Sequence, residues 1–277
     1  MASTGDQVPT ESSRVRVRFD HVTRRFRSQG RRNRGEEITA IKDIDFCIFS
    51  GEVVSVIGPS GCGKSTLLGL ASGLDQPTEG RVFVDGMKVE KPNSHVAFMF
   101  QKDMLLPWRT IRENVELGQE IRGISAADRS ARAIDLLQQY RLGEFVDHYP
   151  HQLSGGMRQR AALARTMALD PGILLMDEPF SALDAMTKMV LQKDLALTLC
   201  KEQKTALLIT HDLTEAIILS DRVLVMSKRP GTVIKELKID IPYRKLPFER
   251  REHPKVVHYV RELIELLHIE EDDMLPA

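Results

Sequence analysis

The sequence predicts an α/β fold: a P-loop core of buried parallel strands, an antiparallel β subdomain and an inserted helical subdomain. Three observations carry that prediction. Gly58-Pro59-Ser60-Gly61-Cys62-Gly63-Lys64-Ser65-Thr66 fits G-x-x-x-x-G-K-[ST], with an apolar strand pattern before it (Val53 to Ile57) and a helical one after it, up to Leu74. The runs Ile173 to Met176 and Thr205 to Ile209 are unbroken and apolar, as strands covered on both faces read, and each ends in polar residues. From Thr110 to Tyr149 the pattern is helical, with no β segment interrupting it.

Composition narrows the function classes. The 277 residues are 42% hydrophobic and 28% charged, enough for a sizeable core. Lys+Arg and Asp+Glu both number 39, which argues against a general nucleic-acid binder. Cys47, Cys62 and Cys200 show no metal-ligand spacing, and their odd count fits free thiols in a reducing compartment. Cys62 sits inside the glycine loop, either open to alkylation or a passive loop residue. No run approaches the length of a membrane span. Residues 1–13 are polar, lack a signal-peptide core and are expected to be disordered.

In chain order, Val15, Val17 and Phe19 alternate as one face of a strand, with Arg14, Arg16 and Arg18 on a solvated face. Phe26 comes next; it reads either as a core residue or as an aromatic that stacks on a base. Ser28 to Glu37, rich in Arg31, Arg32 and Arg34, reads as a basic surface loop. Ile41 to Ile48 alternates and meets Ser50-Gly51, which predicts a hairpin into Val53–Ile57. In the glycine loop, backbone N–H groups turn inward around phosphate oxygens, and the helix that starts there adds its positive end. Lys64 reaches the outer phosphates and the Ser65 hydroxyl binds Mg²⁺. Strands are predicted at Arg81–Val84 and His95–Phe100, the second ending at Gln101.

Leu105-Leu106-Pro107-Trp108 places apolar side chains in a loop. They fold either under a helical layer or toward another protein, and the second is preferred. Ser125 to Asp128 reads as a capping box before an amphipathic run of Ala131, Ile134 and Leu137. Tyr149 to Arg160 opens a further helix whose buried stripe is Met157, Ala161, Ala164 and Ala168. Ser154 reads as its N-cap, and the adjoining Gly155-Gly156 as a second phosphate-facing helix end. Asp177 and Glu178 end the first buried run, at the tip that faces a ligand crevice. One can hold Mg²⁺ while the other handles a water. His211 ends the second run, either as a structural histidine or as a contact to a γ-phosphate. The last strands are predicted at Arg222–Met226 and Thr232–Ile239, split by Arg229-Pro230-Gly231. Val256, Val257, Val260, Leu263, Ile264 and Leu267 share a face of a C-terminal helix, and Glu270 to Asp273 form an acidic end.

Taken together, these motifs in this order resemble the ATPase subunit of ABC transporters, over about Val15 to Ile239. The resemblance implies an ABC-type ATPase domain at 14–240, a helical subdomain at about 102–170, and an extension at 241–277 with one amphipathic helix. It assigns Gly58 to Thr66 to the Walker A loop, Gln101 to the Q-loop and Leu153-Ser154-Gly155-Gly156 to the signature. Asp177 becomes the Walker B aspartate on Mg²⁺, with Ser65 and Gln101, and Glu178 the catalytic glutamate. Ser181-Ala182-Leu183-Asp184 becomes the D-loop and His211 the switch histidine. Two positions depart from the common pattern: Phe26 stands where a tyrosine usually meets adenine, and Met157 replaces a glutamine. The stretches around Leu105–Thr110, Tyr149–Gln152 and Asp177–Ala185 are similar to the nitrate, sulfonate and taurine importer branch, whose members also carry other solutes such as pyrimidine precursors.

Within one such chain the P-loop and the signature lie too far apart to share an ATP. The resemblance therefore implies a homodimer, with the P-loop of one copy facing Ser154, Gly155, Gly156 and Met157 of the other. It also implies membrane permease subunits, an external solute-binding protein and a place on the cytoplasmic face of the inner membrane. A DNA-repair ATPase shares the signature but needs long coiled coils between the motifs; a tandem translation-factor ATPase needs two cassettes. A P-loop kinase or GTPase would leave the signature and His211 unused.

Overall fold

The computed structural model describes residues 14–27 and 37–267. The expected disordered start at 1–13, the basic loop around Arg31 and the acidic end at 270–273 lie outside those residues.

Two sheets organise the described chain. In the first, β1 (Val15–Arg27), β2 (Glu37–Phe49), β4 (Glu79–Val84) and β5 (Met87–Lys88) pair antiparallel in the order β2-β1-β4-β5. Val17 and Phe19 are buried, but Val15 is 37% exposed, because the pairing with β2 shifts register between Val15 and Val17. In the second, β3 (Val53–Ile57), β6 (Val96–Met99), β7 (Ile173–Asp177), β8 (Thr205–Ile209), β9 (Arg222–Met226) and β10 (Val233–Lys238) follow the order β10-β9-β3-β8-β7-β6. All its pairs are parallel except β10 with β9.

The expected hairpin between β2 and β3 does not form. β3 is buried at every residue, so it needs partners on both edges and cover on both faces; β8 and β9 supply the edges. β2 alternates buried and exposed residues and pairs with β1. Ser50-Gly51 carries the chain from one sheet to the other. Gly51 takes φ 71°, and its N–H donates to Thr205 Oγ1 at 3.0 Å.

The helix α1 (Lys64–Ser72) follows β3. Between β6 and β7 the chain forms α2 (Ile111–Ile121), α3 (Ala126–Gln139) and α4 (Gly155–Ala168). The reciprocal capping box lies at Thr110 and Glu113. At α3, Ser125 accepts from the Asp128 N–H, but the shorter Asp128 carboxylate bonds the Ser125 hydroxyl instead of reaching the cap backbone. The buried face of α3 is Ala133, Leu136 and Leu137, continued by Tyr140, not the face of Ala131. α4 is buried on most sides from Ala161 to Ala168, and Met157 in its first turn is only half-buried.

After β7 come α5 (Ala185–Lys201), α6 (Leu213–Leu219), α7 (Pro247–Glu252) and α8 (Lys255–Leu267). The extension beyond 240 thus holds two helices, where the sequence pattern predicts one. The missed α7 is six residues long, too short for a periodic signal, and buries Arg250 to 1% exposure. Arg250 donates to Ile218 O and Ser220 O, at 3.0 Å each, and so satisfies carbonyls at the end of α6. α8 buries Val256 and Leu263; Val257 is 58% exposed, so its apolar stripe is narrower than expected.

Candidate active site

Parallel strands deliver polar residues to one edge of a sheet, and the central sheet does so repeatedly. The loop after β3 carries Gly58 to Gly63; β6 leads to Gln101, β7 to Asp177 and Glu178, β8 to His211. The ladder sets their alignment: Met99 pairs with Met176, and Asp177 with Ile209. A cavity of about 660 Å³ opens there. Its floor is the phosphate loop with Lys64, Ser65 and Thr66. Gln101, Glu178, His211 and Phe26 also line it.

The loop glycines have separate reasons. Gly61 and Gly63 sit at φ 72° and 103°, and a Cβ on Gly63 would strike Ile41 Cγ2. A Cβ on Gly58 would press on Cys62 Sγ and Met226 at 3.0 Å. Ser60 also lines the cavity, whereas Cys62 is 1% exposed and does not. The thiol is thus packed into the core, which rules against alkylation. Lys64 Nζ donates to Gly58 O at 2.6 Å and Pro59 O at 3.0 Å, which keeps the ammonium over the mouth of the loop.

Burial pushes the Asp177 carboxyl above the usual carboxylate range, and the charge of Glu178 adds to this; the Ser65 hydroxyl and Lys64 oppose it. A half-buried carboxylate in contact with a Ser hydroxyl is a pair of hard oxygen donors, which fits Mg²⁺. Glu178 differs. It takes φ 46°, a left-handed conformation that costs a non-glycine residue about 1 kcal/mol. Its N–H still donates to Ile209 O at 2.9 Å, and the Ser181 N–H and hydroxyl donate to its carbonyl at 3.2 and 3.0 Å. That turn aims its side chain into the cavity. There Gln101 Nε2 donates to Glu178 Oε2 at 2.9 Å, and His211 Nδ1 lies 3.3 Å from the same oxygen. His211 is mostly exposed, so it is not a packed core histidine.

Phe26 is 39% exposed where it lines the cavity. The Arg24 guanidinium lies 4.5 Å from its ring centroid and is itself tied to Asp75 at 2.7 Å. Arg24 itself does not line the cavity; it stacks on a ring that does. Ile38, Ala40, Ile209 and Arg229 line the cavity without standing out in the sequence. For Arg229 a signal existed: β9 is a parallel neighbour of β3, so the residues just beyond its tip must lie at the same edge.

Leu153 to Met157 and Ser181 to Asp184 do not line this cavity. They form a separate surface. Ser154 caps α4, accepting from the Met157 N–H at 3.3 Å, and Ser154 and Gly155 are exposed. A Cβ on Gly156 would reach Leu183 at 3.3 Å, so the two loops abut. Asp184 caps α5 through the Thr187 N–H, and bonds from Thr187 hold its carboxyl below the ordinary range. Gln159, 3% exposed, donates to Pro179 O at 3.1 Å and links α4 to the turn after Glu178. Nothing local in the sequence marks Gln159 for that role.

Against this geometry, the family model described as ABC transporter matches residues 41–181. A Methanocaldococcus jannaschii protein described as an uncharacterized ABC transporter ATP-binding protein is 41% identical, over 95% of this chain and 94% of its own. The chain belongs to the ABC transporter family. A nitrate import ATP-binding protein of Synechocystis is 46% identical, over 74% of this chain and 77% of its own. A taurine import ATP-binding protein of Jannaschia is 40% identical, over 87% and 91%. Among solved structures, a dimeric ATP-binding cassette in a post-hydrolysis state, bound to ADP and Pi, superposes with a TM-score of 0.72 at 35% identity. It covers 80% of this chain and 98% of its own.

In this ABC transporter chain, the apolar loop after Gln101 divides its residues. Leu105 is buried at 8% exposure, while Trp108 is 71% exposed, as is much of Met104 at 54%. The loop is held from beneath. Asn114, fully buried, accepts from the Leu106 N–H at 2.7 Å and donates to Leu106 O, Arg109 O and Thr110 O at 3.1, 3.1 and 2.9 Å. Arg165 donates to Asp103 O and Met104 O, both at 2.7 Å. Trp108 is thus displayed on a fixed backbone. Asn114→Ala would remove the partner of several part-buried backbone groups, and the expected loss is about 3 kcal/mol in urea unfolding followed by Trp108 fluorescence. A loss near zero would show that the loop does not depend on Asn114.

Proposed function

We propose that this ABC transporter chain is the ATP-hydrolysing subunit of a bacterial importer for a small anion or sulfonate of the nitrate and taurine kind. One observation carries the reading: Lys64, Ser65 and the Gln101–Glu178–His211 cluster line one cavity, with Asp177 behind it on the Ser65 hydroxyl, while the second glycine-rich helix end stands open elsewhere. The names of the relatives support the solute class.

ATP binds with its base against Phe26 and its phosphates in the loop from Gly58 to Thr66. Ser65, Asp177 and Gln101 would hold Mg²⁺, which supplies charge neutralisation at the phosphates. Lys64 leaves the loop carbonyls for the outer phosphates. Glu178 orients and deprotonates the attacking water, and Gln101 and His211 hold that carboxylate. His211 and Lys64 meet the charge on the transferred phosphoryl group. Ser154, Gly155, Gly156 and Met157 serve the nucleotide of a second copy, so each ATP closes the pair and its hydrolysis releases it.

The loop with Trp108 meets permease subunits in the membrane, at the cytoplasmic face of the inner membrane, and an external binding protein delivers the solute. Among the described residues no helix is long and apolar enough to cross a membrane. Detergent extracts of native membranes test this reading. The tagged chain should bring down a polytopic membrane protein and Trp108→Ala should bring down much less, while deletion of the chain abolishes uptake of one such solute. Recovery of DNA instead of membrane protein would overturn it.

A further inference from the structure

The turn after β9, from Ser227 to Thr232, has no part in the mechanism above, yet it touches the phosphate loop. Arg229 Nε and Nη2 both donate to Gly61 O, at 3.1 and 3.0 Å. Two residues on, the Gly231 N–H donates to Ala40 O and Gly231 O accepts from the Lys42 N–H, each at 2.9 Å. Gly231 also packs so closely on the loop that a Cβ there would run into Cys62 O. One short turn therefore grips the loop and fixes it to β2, beside the wall residues Ile38 and Ala40.

An anion-binding loop that turns N–H groups inward must turn carbonyls outward, and those carbonyls need donors. Gly61, at φ 72°, has its carbonyl held by two N–H groups of one planar guanidinium. Arg229 itself is exposed and lines the cavity. Its remaining N–H groups have no protein acceptor among the described residues. Among the described residues, Lys64 and Arg229 are the lysine and arginine side chains that line the cavity.

We infer that Arg229 is a positioning residue for the nucleotide: its guanidinium fixes the Gly61 peptide and adds lasting positive charge where a di- or triphosphate is received. This rests on the reading of the cavity as the nucleotide site. The charge acts on the bound ground state as much as on the transition state, so affinity changes and the chemical step does not.

The test measures ATP and ADP affinity by titration, and KM and kcat for hydrolysis, in Arg229→Ala, Arg229→Lys and the control Lys64→Ala. Arg229→Ala should weaken both nucleotides and raise KM by about tenfold, with kcat at saturating ATP within about twofold of the parent. Arg229→Lys, which keeps the charge and one donor, should regain most of that loss. The side chain is exposed, so the thermal unfolding midpoint should not move. Parental affinity in Arg229→Ala while Lys64→Ala loses binding would overturn the role of Arg229 alone. Parental affinity in Lys64→Ala would overturn the reading of the cavity, and the inference with it. A fall in kcat at unchanged KM, or an Arg229→Lys variant as weak as Arg229→Ala, would also overturn the inference.

Discussion

Glu178→Gln is expected to lower ATP turnover by about a thousandfold while leaving nucleotide binding intact. The amide keeps the volume of the carboxylate and can still accept from Gln101 Nε2, now 2.9 Å from Glu178 Oε2. It cannot take a proton from water. The backbone at φ 46° is held by Ile209 O and by Ser181, and neither bond involves the altered atoms. The substitution therefore tests chemistry and not shape. With ATP and Mg²⁺ the variant should also accumulate as a pair of chains, since the step that separates them is blocked. Light scattering coupled to size exclusion reads the pair, and phosphate release reads the turnover. A variant with turnover within about tenfold of the parent would remove Glu178 from the role of base. A variant that is slow yet never pairs would leave the base in place and remove nucleotide as the link between copies.

How much of the fold and site is legible in the sequence depends on the kind of signal each part leaves. The buried strands β3, β7 and β8 are visible because full burial forces unbroken apolar runs. Parallel order then puts Gln101, Asp177, Glu178 and His211 at one edge without knowledge of any distance. Two adjacent acids are expected to point in different directions. The means is a left-handed turn at Glu178, which no residue type there announces. The false hairpin between β2 and β3 comes from a local rule: a turn joins the strands it separates. Here Ser50-Gly51 separates two sheets, and only the all-buried character of β3 could say so. Arg229 can be placed at that edge once β9 is set beside β3, but its bond to Gly61 O escapes sequence reasoning, as does that of Gln159 to Pro179 O, because both carbonyls are distant in the chain. Side chain to backbone bonds of that kind leave no periodic trace.

Two inactive variants should restore activity to each other when mixed. Lys64→Ala removes the cation of the phosphate loop. Gly155→Asp places a carboxylate at the open end of α4, where it would repel phosphate. The second change should not unfold the helix. Gly155 is the first residue of α4, a Cβ there meets only Arg158 Nη2 at 3.8 Å, and an acid at a helix N-terminus is favoured by the helix dipole. With either variant alone, every site that two copies could form carries its defect. If every site takes its phosphate loop from one chain and its signature from the other, a mixed dimer has one site with both defects and one with none. Equal mixing makes half of the dimers mixed, so roughly one site in four is intact and turnover should reach about a quarter of the parent value. If instead one chain supplied both halves of a site, every site in the mixture would remain defective and turnover would stay at the level of the separate variants. The cavity that Lys64 lines does not include Gly155, which is why the first arithmetic is expected.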